Sequence, residues 1–207
     1  MKVLLINGSP HENGNTAFAL AQMAEVFAEL GIETETIQVG SQLIRGCQGC
    51  GACYKLKKCV IEDGLVNETA DKLAEADGMV VGSPVYYASP NGTLLSFLDR
   101  LFYSSGRINK RMKVGASVVC ARRGGTTASM DVLNKYFTIS EMPLASSTYW
   151  NIIHGAKSGE AAADAEGIRT VRNLAKNMAY MMKAFQAAKD TVELPEPEPK
   201  AFTNFIR

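Results

Sequence analysis

Residues 7–16, NGSPHENGNT, follow the short apolar run Val3, Leu4, Leu5, Ile6 and precede a stretch with helical periodicity. A hydrophobic strand, a loop of small polar residues and a helix start together make an anion site. The first N–H groups of a helix lack partners, and its dipole places partial positive charge there. Ser9, Asn13, Asn15 and Thr16 add side-chain donors, and the loop has no Lys or Arg. A phosphate would therefore be held mainly by neutral groups. A plain strand-to-helix turn with a capping residue has the same look, so the rest of the chain must decide.

Downstream, strand and helix patterns alternate. Residues 16–30 place Phe18, Leu20, Met23, Val26, Phe27 and Leu30 at helical spacing, and Gly31 ends the run. Residues 32–39 read as a half-exposed edge strand. Helical spacing returns over 65–76 and 93–103, with the buried-type strand GMVVGS (78–83) and the loop PVYYASPN (84–91) between them. The strand KVGASVVC (113–120), the loop ARRGGTT (121–127), a helix over 130–139, a fifth strand PLASSTYW (143–150) and a long helix over 159–188 follow. Five strands with intervening helices predict an α/β parallel sheet covered on both faces. The flavodoxin-like order 2-1-3-4-5 is the natural five-strand solution. In such a sheet ligands bind at the carboxyl ends of the strands, at the topological switch point. The loops after strands 1, 3 and 4 converge there. The reading is one domain over 1–190 with a cysteine-rich insertion at 46–60, then a Pro/Glu-rich extended tail over 191–207.

Composition bounds the function. The 207 residues suit one well-packed domain. With 46% hydrophobic residues, 21% charged and a net charge of +1, nothing draws the chain electrostatically to nucleic acid or an anionic membrane. No apolar run reaches membrane-spanning length, and Met1-Lys2 leads straight into a strand rather than a signal peptide. A cytoplasmic protein is expected. Of five cysteines, four fall between positions 47 and 59, which in a reducing compartment suggests metal or redox chemistry. Cys120, in an apolar strand, reads as a small core residue.

Competing phosphate ligands can be sorted. A P-loop needs a Lys immediately before Thr16, where Asn15 stands instead. The G-x-G-x-x-G fingerprint is missing after strand 1, and the end of strand 2 offers no acid for a ribose. A cysteine phosphatase would carry its nucleophile in the first loop. A mononucleotide such as FMN remains. Tyr86 and Tyr87 can cover an aromatic ring system, with backbone N–H groups around Val85 and Ala88 at its polar edge. Glycines at 124 and 125 let backbone approach a flat ligand. An Arg at 122 or 123 can stabilise charge on a reduced flavin or hold a nicotinamide cofactor's phosphate.

The segment GCQGCGACYKLKKC spaces Cys47, Cys50, Cys53 and Cys59 as C-x2-C-x2-C-x5-C. Two successive C-x2-C steps are similar to the run that binds 4Fe–4S clusters in bacterial ferredoxins. Four thiolates also suit zinc, and a loop of free thiols is the third reading. His154, after strand 5, is expected at the surface or an interface. Tyr149 and Trp150 are expected as core or interface anchors, and Met178, Met181 and Met182 as packing on the last helix or an oligomer face.

On GSPHENGNT, the compact cysteine motif, GSPVYYASPNG and ARRGG, the chain resembles the flavodoxin-fold NAD(P)H-dependent FMN reductase superfamily, and within it the iron–sulfur flavoproteins. The resemblance runs from Lys2 to about Met182. It implies FMN bound by three loops: Ser9, Asn15 and Thr16, with His11 and Asn13, around the phosphate; Pro84, Val85, Tyr86 and Tyr87 along the ring; Ala121, Arg122, Gly124 and Gly125 on its other side. It implies a 4Fe–4S cluster on Cys47, Cys50, Cys53 and Cys59. It also implies a homodimer or homotetramer in which one subunit's cluster lies near another's flavin. Many of these reductases carry Arg where His11 stands, so here the phosphate lacks that charged contact. The expected function is an FMN oxidoreductase, fed by NAD(P)H or another low-potential donor, with no catalytic side chain. The acceptor is a quinone, a nitro or azo compound, free flavin or a redox protein. A flavodoxin-like electron carrier with protein partners is the alternative, and a flavin-free binding module is the third.

Overall fold

A computed structural model describes residues 1–199 and 201–205. Its strands are β1 (Lys2–Asn7), β2 (Glu33–Gln38), β3 (Gly78–Tyr86), β4 (Ser89–Pro90), β5 (Val114–Ala121) and β6 (Ile152–His154). Its helices are α1 (Asn15–Glu29), α2 (Ala52–Leu56), α3 (Leu65–Glu75), α4 (Gly92–Ser104), α5 (Thr126–Thr138) and α6 (Ala165–Ala188). The sheet order is β2-β1-β3-β5-β6, all parallel, with β4 folding back antiparallel on β3. Counting the parallel strands alone, this is the expected flavodoxin-like order.

Alternation along each strand divides the core into two layers. Val3 and Leu5 of β1 pack with Val80, Ala116 and Val118 under α1 and α6. Leu4 and Ile6 turn the other way, with Met79, Val81 and Val119, under α3, α4 and α5. Burial on both faces explains why β1 reads as a continuous apolar run. At the edge, β2 is polar on one side, and Glu35 there bridges Lys2 at 2.7 Å and Lys72 at 2.8 Å.

Several expected boundaries change. Residues 143–150 do not form the fifth strand. Leu144 makes one isolated bridge to Gly115, and the strand that pairs with β5 is β6, in register Val119↔Ile152 through Ala121↔His154. The β-branched pair Ile152 and Ile153 is buried and fits the pleated surface, whereas Tyr149 and Trp150 stay half-exposed and pack edge-on against each other rather than into the core. The last helix does not begin at 159. A 3-10 turn (Glu160–Ala163) precedes it, and Asp164 caps α6 by accepting from Gly167 N at 2.9 Å. Met178 and Met182 are core residues under that helix. α5 starts at Thr126, ahead of the expected 130.

Residues 193–199 have no regular structure, and Arg111 donates to the Pro195 carbonyl at 2.7 Å. Positions 200, 206 and 207 of the expected tail lie outside the described residues. Among the described residues no helix is long and apolar enough to cross a membrane.

Candidate functional site

Two places gather the polar chemistry. The first is a cleft of about 680 Å³ at the carboxyl ends of β1, β3, β5 and β6. Ser9, His11, Asn15, Thr16, Pro84, Val85, Tyr86, Ala121 and Arg122, from the loops after β1, β3 and β5, line it. Residues 155–158 line it as well. No side chain caps α1, and Gly14 holds the capping position, so no side chain partners the helix's first N–H groups.

The backbone of the first loop is held by its neighbours. Gly8 N donates to Gly82 O at 2.8 Å, and the buried Asn91 side chain donates to Gly8 O at 2.7 Å. Gln38 donates to Ser9 O at 2.6 Å. A Cβ on Gly40 would meet Ser9 backbone at 2.2 Å, so only glycine lets the end of β2 pass this close. Inside the loop Ser9 Oγ accepts from His11 N at 3.1 Å.

Asn15 does something the sequence does not announce. Its Nδ2 donates to Lys157 O at 2.8 Å, and its Oδ1 accepts from Ala161 N at 3.2 Å. Ser158 Oγ donates to Asn13 O at 3.0 Å. The loop after β6 is thus laced to the first loop. It is stiffened further by Glu160, whose carboxylate accepts from Lys157 N and Ala156 N and is held below the usual carboxylate range by those two bonds. Lys157 and Arg122 are the two Lys or Arg residues among those lining the cleft.

The loop after β3 is a tight hairpin. Val85 pairs with Pro90 and Tyr86 with Ser89, leaving Tyr87 and Ala88 at the turn with φ of +50° and +58°. Such a turn normally takes Asn-Gly, because L side chains are strained there. Tyr87 is fully exposed and does not line the cleft. Gly125 caps α5 with φ of +89°, against Ala88. Asn13, Gly124 and Gly125 also lie outside the cleft's lining. His154 sits at the β6 end, its Nδ1 3.1 Å from Ala121 O.

The second place is a cavity lined by Cys47, Cys50, Cys53 and Cys59 together with Arg100, Tyr103 and Ser104 of α4. Gly49 and Gly51, both at positive φ, turn the backbone between the first three cysteines. Burial, with Cys50, Cys47 and Cys59 nearby, pushes the Cys53 thiol above its ordinary value. Arg100 is buried to 1% exposure and donates from Nε to Cys59 Sγ at 3.3 Å. Burial works against its charge, yet Asp63 and Cys59 beside it hold the guanidinium above the ordinary arginine value. Among the described residues no group of three or more His, Cys, Asp or Glu side chains is arranged to hold a metal ion. Cys120, by contrast, is a buried thiol whose sulfur burial pushes up to about 11.

A parallel sheet in flavodoxin order, with a polar loop opening into a cleft at the carboxyl strand ends, defines a flavodoxin-like α/β protein. The chain belongs to the NADPH-dependent FMN reductase family, whose model matches residues 1–157. It is 34% identical over 190 residues to an iron-sulfur flavoprotein of Methanocaldococcus jannaschii, covering 88% of this chain and 98% of that one. An archaeal flavodoxin superposes with a TM-score of 0.57 at 15% identity, over 88% of this chain and 99% of that one. An NAD(P)H:quinone oxidoreductase from Methanothermobacter marburgensis superposes with a TM-score of 0.66 at 15% identity, over 86% and 96%. The family makes the protein a flavoprotein oxidoreductase with FMN as its flavin.

Proposed function

We propose that this oxidoreductase takes electrons from NAD(P)H or another low-potential donor and passes them to a quinone, a nitro or azo compound, free flavin or a redox protein. We also propose that Cys47, Cys50, Cys53 and Cys59 hold a 4Fe–4S cluster. What supports the reading is that all four cysteines line one cavity, on the same fold as the cleft, although their sulfurs are not drawn together as ligands of a single metal ion would be. The name of the M. jannaschii relative supports it. A further fit lies in Ser104, which lines that cavity with a buried Oγ that has no hydrogen-bond partner among the described residues. An orphaned donor there suits a group that accepts hydrogen bonds.

FMN supplies hydride and single-electron chemistry when bound, and the cluster single-electron chemistry. The side chains bind and orient. Ser9, Thr16 and the start of α1 would hold the phosphate, with His11 beside them in the cleft lining. Asn13 and Asn15 shape that site through the loop after β6. Pro84, Val85 and Tyr86 would hold the ring, with Tyr87 at the hairpin tip, and Arg122, which also lines the cleft, would favour negative charge on the reduced flavin. Ala121 borders that side, and Gly124 and Gly125 carry the loop into α5. No residue acts as nucleophile or general base.

The cleft and the cysteine cavity share no lining residue. Along α4, Arg100 lies eight residues beyond Gly92 at the helix start, about 12 Å at helical rise. A homodimer or homotetramer that brings one protomer's cysteine loop to another's cleft would shorten that path. Exposed Leu43, Tyr54, Leu56 and Val60 near the cysteines fit such a contact. The same exposed residues favour the second reading, an electron carrier that docks a protein partner there.

The deciding experiment is anaerobic purification followed by flavin, iron, sulfide and zinc analysis. Roughly four irons per chain with FMN supports the cluster, and zinc or no metal refutes it. Cys53→Ala should lose the iron and keep FMN. Fast NAD(P)H turnover on a small quinone favours the enzyme, and slow turnover with an intact cluster favours the carrier.

A further inference from the structure

Two polar side chains of α4 point to a role that the flavin cleft does not use. Arg100 follows Phe97 and Leu98 and precedes Leu101, all fully buried, and its own side chain is 0% exposed. A buried guanidinium is costly unless its donors are matched. Here they are. Besides Cys59 Sγ, Arg100 Nη1 donates to Arg45 O at 3.2 Å and to the Asp63 carboxylate, and Nη2 donates to Ile61 O at 2.7 Å. These partners stand on both sides of the cysteine run: Arg45 before Cys47, and Cys59, Ile61 and Asp63 at its far end. One side chain therefore closes the loop. Ser104 lies four residues on, one helical turn further along α4; it lines the same cavity, and its Oγ is buried without a partner.

We propose that Arg100 and Ser104 are positioning residues for the iron–sulfur centre: they fix the cysteine loop, supply hydrogen bonds to its sulfurs and thereby set its reduction potential from α4. The proposal rests on the cluster reading above. Donors and positive charge beside thiolate sulfur favour the more negative, reduced state and raise the potential. Asp63 acts in the opposite sense, because its carboxylate offsets the Arg100 charge. Arg100 is also costly to replace structurally. Without it, the carbonyls of Arg45 and Ile61 lose their donor and the two ends of the loop lose their common tie.

The test is anaerobic loading of the FMN-bound protein with ferrous iron and sulfide, followed by iron counts and a spectroscopic redox titration. The chains compared are the natural one, Arg100→Met, Arg100→Lys, Ser104→Ala and Asp63→Asn. Arg100→Met is expected to keep FMN but lose most of the iron. Arg100→Lys and Ser104→Ala are expected to load and titrate at lower potential, and Asp63→Asn at higher potential. Ser104→Ala should also melt higher than the natural chain when metal-free, since an orphaned hydroxyl is gone. A merely structural role would not produce shifts of opposite sign. If Arg100→Met fails to bind FMN, it has not folded, and Arg100→Lys, Ser104→Ala and Asp63→Asn decide. A natural chain that takes up no iron overturns the cluster reading and this role together. A natural chain that loads, with the three loading variants at its own potential or all shifted the same way, overturns the role of α4 alone.

Discussion

Lys157→Met isolates the contribution of the loop after β6 to phosphate binding. Residues 7–16 contain no Lys or Arg, while Lys157 borders the cleft beside Gly14, Asn15 and Thr16, its carbonyl bound to Asn15 at 2.8 Å. Two unit charges about 4 Å apart in water attract by about 1 kcal/mol, and a phosphate monoester carries roughly 1.5 to 2 negative charges at neutral pH. Lys157 is exposed, so salt and side-chain entropy reduce the gain to about 1 kcal/mol. FMN should therefore bind roughly five- to tenfold more weakly to the variant. Riboflavin, which has the same ring and no phosphate, should bind the variant and the natural chain equally. Flavin fluorescence quenching on titration of flavin-free protein measures both, and the FMN difference should shrink as salt is added. An equal loss for riboflavin would place Lys157 at the ring or in the fold. No loss for FMN would remove the loop from the phosphate site.

The hairpin at Tyr87 and Ala88 stores backbone strain. Ala88→Gly should raise stability by about 1 kcal/mol, read as a higher urea midpoint at unchanged slope; a lower midpoint would show that Ala88 contacts outweigh its strain. Gly40→Ala places a methyl on Ser9 backbone and should cost several-fold in FMN affinity as well as stability, checked by calorimetric titration. If affinity holds while stability falls, the first loop is not what Gly40 supports. In metal-free protein near pH 8, iodoacetamide should label exposed Cys47 and Cys50 first, Cys53 more slowly and Cys120 last. A raised thiol pKa keeps the unreactive neutral form below it, so Cys120 labelling should climb only as pH nears about 11. Peptide mass mapping reads the order, and early labelling of Cys120 would contradict its burial.

Much of this was legible in the chain because the physics is local. The β1 run, the polar loop and the helix after it announce themselves by pattern, and two further loops follow from parallel topology. The loop at 155–158 escapes a reading that puts the fifth strand at 143–150, where Tyr149 and Trp150 imitate strand residues. The β-branched pair Ile152 and Ile153 was the better signal. Asn15 was legible as a polar residue at a helix start. Its partners Lys157 and Ala161 are more than 140 residues away, and no spacing rule reaches them. Gly40 looks like any turn glycine until the approach of Ser9 is seen. Arg100 leaves a trace in the sequence: a cation within the apolar face of LLSFLDRLF demands buried acceptors.

The two hydrogen bonds of Asn15 bear on how portable this site is. The segment matching the family model ends at residue 157, yet the loop at the mouth of the cleft is fastened through Ala161 and leads into α6, which covers α1. A chimera cut at that boundary would inherit the first loop without the strut that sets its outer wall. Grafting this cleft onto another sheet, or permuting the chain to open new termini, would have to carry the last helix with it.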